Sequence, residues 1–342
     1  MLLHLGLTIV AAIAAFVAAG LIRANAQRLG VIQAPNARSS HTTPTPGGGG
    51  VGIVLGGSLV LVAASAGAIE PFLPGLVIGA MIAAVGFYDD RHPIPARLRL
   101  PGQLVLMAIA IWLAVPLDAL QQQTGIPLPA IAVAVIALVG AVYWINLFNF
   151  MDGIDGIAGA QAIFMLVGAA ILATLRVPGF IDGAMFWCLV GVTAATLGFL
   201  ALNWPPARIF MGDAGSTYLG FILAFLALVT IADGTLSLPQ WLILSAAFVT
   251  DASVTLIRRL LLRERVFEAH RRHAYQVLSR RFGAHQPVTL GFVALNAIWL
   301  LPLAWAATAW GWLAVLVAYG PLIVLAFYLG AGAPERPALN PR

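Results

Sequence analysis

Apolar runs long enough to cross a bilayer recur along the whole chain, and they leave little freedom in what it can fold into. A hydrocarbon core about 30 Å thick needs roughly 17–25 apolar residues per helical crossing. Inside it every backbone N–H and C=O must be satisfied within the protein, which an α-helix achieves segment by segment. About eleven runs qualify on length, at 2–21, 50–67, 72–87, 103–116, 128–145, 157–175, 186–202, 218–231, 238–256, 288–306 and 311–329. Hydrophobic residues make up 61% of the chain and charged residues 9%, against roughly 45–50% apolar in soluble domains. The expected fold is therefore an all-α polytopic membrane protein, with residues 1–330 as one integral membrane domain and 331–342 as a tail. Connecting loops are expected at about 23–49, 88–102, 146–156, 203–217 and 258–287.

Orientation follows from the basic residues, which are held on the cytoplasmic side. Lysine is absent, so all 18 are arginine. With the N-terminus outside, alternating spans place Arg23, Arg28, Arg38, Arg91, Arg97, Arg99, Arg208, the cluster from Arg258 to Arg281, Arg336 and Arg342 in the cytoplasm, and only Arg176 outside. The expected C-terminus is cytoplasmic. A cleavable leader ending at Ala24-Asn25-Ala26 is disfavoured, because MLLH lacks a positive n-region. The single cysteine, Cys188, excludes a disulfide framework and a cysteine-rich metal site. A net charge of +5 with a pI near 10 follows from arginines spread over one membrane face, so no nucleic-acid partner is needed to explain it. Internal repeats of the kind common in transporters are not evident.

The acids then divide. Glu70, Asp118, Asp182 and Asp233 are singletons on the outer side and read as solvated loop acids. On the cytoplasmic side polar residues come in groups: Asp89 and Asp90, the run NLFNFMDGIDGIAG from Asn146 to Gly159, Asn203, Asp213 in GDAGS, and His270 and His273 in HRRHAYQ. Ionisable groups converging at helix ends on one face suit a polar, charged substrate. Asn146, Asn149, Asp152 and Asp155 are spaced by three, which drifts about 60° per step on a helix, so they cannot share one straight face. The Asp-Gly pairs at 152–153 and 155–156 point to a helix that reaches the surface near Asn149, breaks, and restarts near Ile157. A plain turn is the alternative.

Two acids at a glycine-rich break suit a hard cation such as Mg²⁺, which takes one or two carboxylates and leaves other positions to water and phosphate. Asp213 is a second candidate ligand, at a helix start where Ser216 could cap and free amides could meet an anion. Asp251, inside a span, could pair with Arg258 or join an interior network. The run RSSHTTPTPGGGGVG offers Arg38, His41 and glycine amides to a phosphate, although a flexible linker is the simpler reading. Arg271, Arg272 and the two histidines could clamp a diphosphate, with a solvated amphipathic helix at the lipid surface as the default.

In this order the motifs DD at 89–90, NLFNFMDGIDGIAG at 146–159, GDAGS at 212–216 and HRRHAYQ at 270–276 resemble the polyprenyl-phosphate N-acetylhexosamine-1-phosphate transferases, glycosyltransferase family 4. The resemblance runs from about residue 38 to 280 and is strongest to the branch that initiates O-antigen synthesis. It implies Mg²⁺-dependent transfer of N-acetylhexosamine-1-phosphate from a UDP-sugar to undecaprenyl phosphate, with release of UMP. The implied site faces the cytoplasm at the bacterial inner membrane. The implied partners are UDP-N-acetylhexosamine, undecaprenyl phosphate and membrane lipid; Mn²⁺ would be a substitute metal, and a membrane homodimer occurs in the family. By the same resemblance Asp213 is the principal metal ligand with Asp152 near the metal. Asn149, Asp155 and Asn203 belong to the nucleotide site, and Asp89 and Asp90 engage the lipid phosphate. His270, Arg271 and His273, with Arg38 and His41, handle the diphosphate and sugar. The peptidoglycan enzyme that forms lipid I is the alternative in this family. A multi-pass transporter is the remote one; it would carry acids near the midplane and on both faces.

Overall fold

The computed structural model describes residues 1–34, 43–66, 71–265 and 270–334. Each expected run becomes a helix or part of one. They are α1 (Leu2–Ala24), followed by a short α2 (Ala26–Leu29), then α3 (Val51–Ser65), α4 (Phe72–Asp89) and α5 (Ala96–Ala114). A short α6 (Leu117–Thr124) precedes α7 (Ala130–Met151), α8 (Ile157–Arg176), α9 (Ala184–Asn203), α10 (Gly212–Ala232) and α11 (Leu238–Leu261). The short α12 (Ala274–Phe282) leads into α13 (Gln286–Leu295), α14 (Leu301–Trp310) and α15 (Trp312–Leu329). Ten spans among the described residues are long and apolar enough to cross a membrane; α3, with 15 residues, is a shorter eleventh apolar helix.

Helices α13 and α14 form one span of 25 residues joined by a π-helical turn at Asn296–Leu300. Asn296 Nδ2 donates to Gln161 Oε1 on α8 (2.7 Å), and Pro302 begins the next segment. A polar anchor and a proline are the ordinary causes of such a deviation.

Helix α10 is the hub. Every residue from Ala214 to Ala232 is buried, and 94% of its apolar window lies inside the protein, against 17% for α1 and 22% for α5 and α15. Lipid tails give helices no hydrophobic reason to associate, so close van der Waals packing through small residues does the work. A Cβ on Gly50 would stand 2.2 Å from Cα of Gly215, and one on Gly86 would stand 2.6 Å from the Asp213 carbonyl oxygen. Backbones of α3 and α4 thus touch the first turn of α10. Helix α1 belongs to the same body: Ala11, Ala15 and Ala19 are fully buried against α3 and α9.

A two-residue ribbon closes one end. β1 (Ile32–Gln33) pairs antiparallel with β2 (Thr45–Pro46), Ile32 opposite Pro46 and Gln33 opposite Thr45. Amides of the following glycines are bonded to protein: Gly47 donates to Val31 O (2.7 Å), Gly49 to Phe210 O (2.9 Å) and Gly50 to Met211 O (2.8 Å). That corrects both readings of this run, since three of its amides are neither a phosphate cradle nor part of a free linker. Arg38 and His41 lie outside the described residues.

Candidate active site

The ends of α7 and α9 and the starts of α10, α12 and α13 meet in a cleft of about 260 Å³. Its walls include Gln33, Asn149, Asp152, Asp155, Asn203, Asp213, Gln276 and His285. Helix α7 ends at Met151, two residues beyond the expected break, and α8 restarts at Ile157 after Gly156 adopts φ +74°. The drift along the polar run is plain in the result. Asn146 turns away and donates to Gln103 Oε1 on α5 (2.7 Å), so it does not enter the cleft. Asn149 faces α10, donating to Asp213 Oδ1 (2.8 Å) and Ser216 Oγ (3.1 Å).

Asp152 stands at the break with no hydrogen-bond or ion-pair partner among the described residues. Burial, and then the negative charges of Asp213, Asp90 and Asp155, push its carboxyl well above the usual range. Asp155 is held on both sides. Ala207 N–H donates to its Oδ2 (3.0 Å), and His285 Nδ1 lies 3.1 Å from its Oδ1. Asn203 is buried and its amide is bonded at both ends: Oδ1 accepts from Gly156 N–H (3.0 Å) and Nδ2 donates to Ile209 O (2.9 Å). It ties the 152–156 turn to the loop entering α10.

The acid pair is split between two tasks. Asp90 accepts from the amides of Asp213 (Oδ1, 2.7 Å) and Ala214 (Oδ2, 3.2 Å), so a carboxylate from α4 caps the first turn of α10. Gly212, at φ +75°, leaves room for it; a Cβ there would stand 2.6 Å from Asp90 Oδ2. Burial pushes the Asp90 carboxyl up to about 6 against the pull of those amides. Two expectations are corrected here. The amides of Asp213 and Ala214 are not free for an anion, and Ser216 does not cap the helix, because its hydroxyl donates back to Gly212 O (3.0 Å). Asp89 is buried, with Oδ1 accepting from Ile94 N–H (2.6 Å) and Oδ2 bonded to Arg99. The same Arg99 nitrogen donates to Asp213 Oδ2 (2.9 Å), so one guanidinium links α4, α5 and α10.

The last loop sits beside the cleft. Its contributions to the lining are Gln276 and His285; His270, Arg271 and His273 are not among the lining residues. Arg272 is paired bidentately with Glu264, which also holds Arg259 (3.1 Å), so Arg272 is not a diphosphate clamp in this arrangement. The Arg272 guanidinium holds Glu264 below its usual value. Burial and the neighbouring His273 push His270 down to about 3. Asp251 does not pair with Arg258, which donates to Ala331 O (3.2 Å); its carboxylate accepts from the amides of Ala274 and Tyr275, with His273 Nδ1 3.4 Å from its Oδ1.

Sequence reasoning missed Gln33, Arg99, Gln276 and His285 as site residues. Arg99 carried one signal, a charge one turn inside an apolar helix that follows an acid pair. Gln276 carried another, as the last residue of the HRRHAYQ motif; His285 and Gln33 carried none, because what brings them to Asp155 or the cleft is tertiary packing.

An all-helical membrane bundle with an acid-lined cleft at its arginine-rich end is the class these observations define. Residues 72–231 match the family model described as glycosyl transferase family 4. It is 29% identical over 329 residues to the decaprenyl-phosphate N-acetylglucosaminephosphotransferase of Mycobacterium tuberculosis, covering 85% of this chain and 80% of the relative. A probable undecaprenyl-phosphate N-acetylglucosaminyl 1-phosphate transferase of Bacillus subtilis is 25% identical, with 87% and 84% covered. The phospho-N-acetylmuramoyl-pentapeptide-transferase of Shouchella clausii is 35% identical over 210 residues, 54% of this chain and 61% of the relative.

Proposed function

We propose that the chain transfers a sugar phosphate from a nucleotide-activated sugar to a polyprenyl phosphate in cell-envelope synthesis. The observation that carries the reading is the unpartnered Asp152 carboxyl group lining the same cleft as Asp213 at the end of a membrane bundle. Relatives named as N-acetylglucosamine phosphotransferases align over most of both chains, which favours them over the pentapeptide transferase alternative. In its finer form the reading is transfer of N-acetylhexosamine-1-phosphate from a UDP-sugar to undecaprenyl phosphate at the cytoplasmic face. UMP is released, and the lipid product starts an O-antigen or a related glycan.

The donor set fits Mg²⁺. Asp152 offers free oxygens and Asp213 keeps lone pairs beyond its bonds to Asn149 and Arg99. Among the described residues no three acids or histidines form a closed cage, as suits an ion that completes its shell with phosphate and water. Once bound, it would neutralise charge developing on the transferred phosphoryl oxygens. Asp152 and Asp213 would hold it, and Asn149 orients the Asp213 carboxylate. A phosphate monoester has a second pKa near 6, so the acceptor is mostly dianionic at neutral pH. Its oxygen attacks the β-phosphorus, and the bond from that phosphorus to the bridging oxygen breaks as UMP departs with the electron pair. Both Asp89 oxygens are already bonded, which supports a positioning role through Arg99 over that of a general base.

The test is to incubate purified protein with undecaprenyl phosphate, Mg²⁺ and a panel of UDP-sugars that includes the UDP-MurNAc-pentapeptide, and to measure UMP. Release with a UDP-N-acetylhexosamine is expected. Release only with the pentapeptide substrate overturns the sugar assignment, and no release at all overturns the reading.

A further inference from the structure

Helix α12 is braced at its first turn. In α11 the buried Asp251 accepts from the amides of Ala274 (Oδ1, 2.8 Å) and Tyr275 (Oδ2, 3.0 Å), the first two residues of α12. A carboxylate at a helix start satisfies donors that otherwise have no partner. Held this way, the fully buried Tyr275 reaches across to α7, where its hydroxyl donates to Phe150 O (3.0 Å). That carbonyl lies in the last turn of α7, where intrahelical partners run out. The same hydroxyl presses on Gly153: a Cβ there would stand 2.1 Å from Tyr275 Oη. Phe150 and Gly153 flank Asp152, which has no tether of its own.

From this chain of contacts we propose that Asp251 and Tyr275 are positioning residues that fix the 150–153 turn, and with it the Asp152 carboxylate, from the last loop. The loop's link to the cleft is then mechanical: Asp251 caps α12, α12 aims Tyr275, and Tyr275 sets where Asp152 points. As a statement about catalysis this rests on the sugar-phosphate transfer reading; as a statement about the turn it does not.

Hydrogen exchange on the full-length protein in detergent separates the two. Tyr275→Phe keeps the ring and removes the hydroxyl, so exchange across 150–156 should rise about tenfold, the loss of one hydrogen bond to a buried carbonyl. Exchange in α9 and α10 should not change. Asp251→Asn, which keeps one acceptor, should raise exchange across both 274–277 and 150–156. Gly153→Ala should disorder the turn by collision with the hydroxyl. Adding Tyr275→Phe should recover part of that loss, because the nearest remaining atoms, Tyr275 Cζ and Gln276 Nε2, lie 3.1 Å away. In the transfer assay the Tyr275→Phe variant should need about tenfold more Mg²⁺ for half-maximal rate, with turnover at saturation near wild type. Unchanged exchange at 150–156 in Tyr275→Phe, uniform loss of protection throughout the chain, or no recovery in the double variant would each overturn the brace. If wild type releases no UMP, the transfer reading falls and the exchange data still decide the brace.

Discussion

Asp90→Ala removes both acceptors from the first turn of α10, whereas Asp90→Asn leaves one. The Asp213 contact, at 2.7 Å, is a full charge-assisted bond and the Ala214 contact, at 3.2 Å, a weaker one. Losing a helix cap costs about 0.5–2 kcal/mol, and a hydrogen bond to a charged group is worth about 1.5–3 kcal/mol. Against this, loss of the charge relieves repulsion with Asp89, one of the causes that raise the Asp90 carboxyl. The balance is a destabilisation of about 2 kcal/mol for Ala and about 1 kcal/mol for Asn. The larger value is roughly a thirtyfold shift in the unfolding equilibrium. Reversible unfolding by SDS in mixed micelles measures it, alongside turnover at a temperature where both variants remain folded. Cap geometry predicts activity losses that rise with instability, Ala worse than Asn, because a loosened first turn misplaces Asp213. An Asp90→Asn protein as stable as wild type but without turnover would refute the cap argument and return this side chain to substrate chemistry.

Asp213→Asn should abolish metal-dependent UMP release while unfolding like wild type; turnover at the wild-type rate would remove Asp213 from the metal site. Gly50→Ala places a methyl 2.2 Å from Cα of Gly215, so α3 and α10 must part, at a cost of about 1–3 kcal/mol or more; unfolding in mixed micelles at wild-type stability would count against the close approach. Glu264 is held below its usual value of 4.5 by Arg272. Its tether is therefore complete above that value and lost as pH falls through the lower folded-state one. Limited proteolysis between residues 262 and 273 should accelerate only on such acidification, and Glu264→Gln should be equally susceptible at neutral pH. A wild-type cleavage rate that does not change with pH would refute this.

The bundle was legible because hydrocarbon imposes a length and a composition on each crossing, so apolar runs alone located every spanning helix. Their ends were less so. Helices α5 and α10 begin several residues before their apolar runs because Arg99, Asp213 and Ser216 fold into their first turns, where tertiary partners meet their charge and polarity. Glycine and three-residue spacing correctly placed the break after α7, and the same arithmetic explains why Asn146 and Asp155 part company. Local pattern failed where a partner comes from far along the chain. Free amides at the start of α10 are the natural reading of GDAGS by itself, yet an acid 123 positions earlier occupies them. Asp251 beside Arg258 is the natural pair along one helix, yet the carboxylate serves another helix altogether.

The burial of α10 also sets how the cleft responds to its surroundings. Bilayers differ in thickness, and spanning helices adapt to the mismatch by tilting or bending at modest cost. Helices α1, α5 and α15 meet lipid over most of their length and would take up that adjustment. The helix carrying Asp213 is ringed by protein, with its first turn keyed backbone to backbone into α3 and α4. The acid's depth is thus referenced to the protein's own frame, which insulates the cleft from changes in lipid thickness that the outer helices must follow.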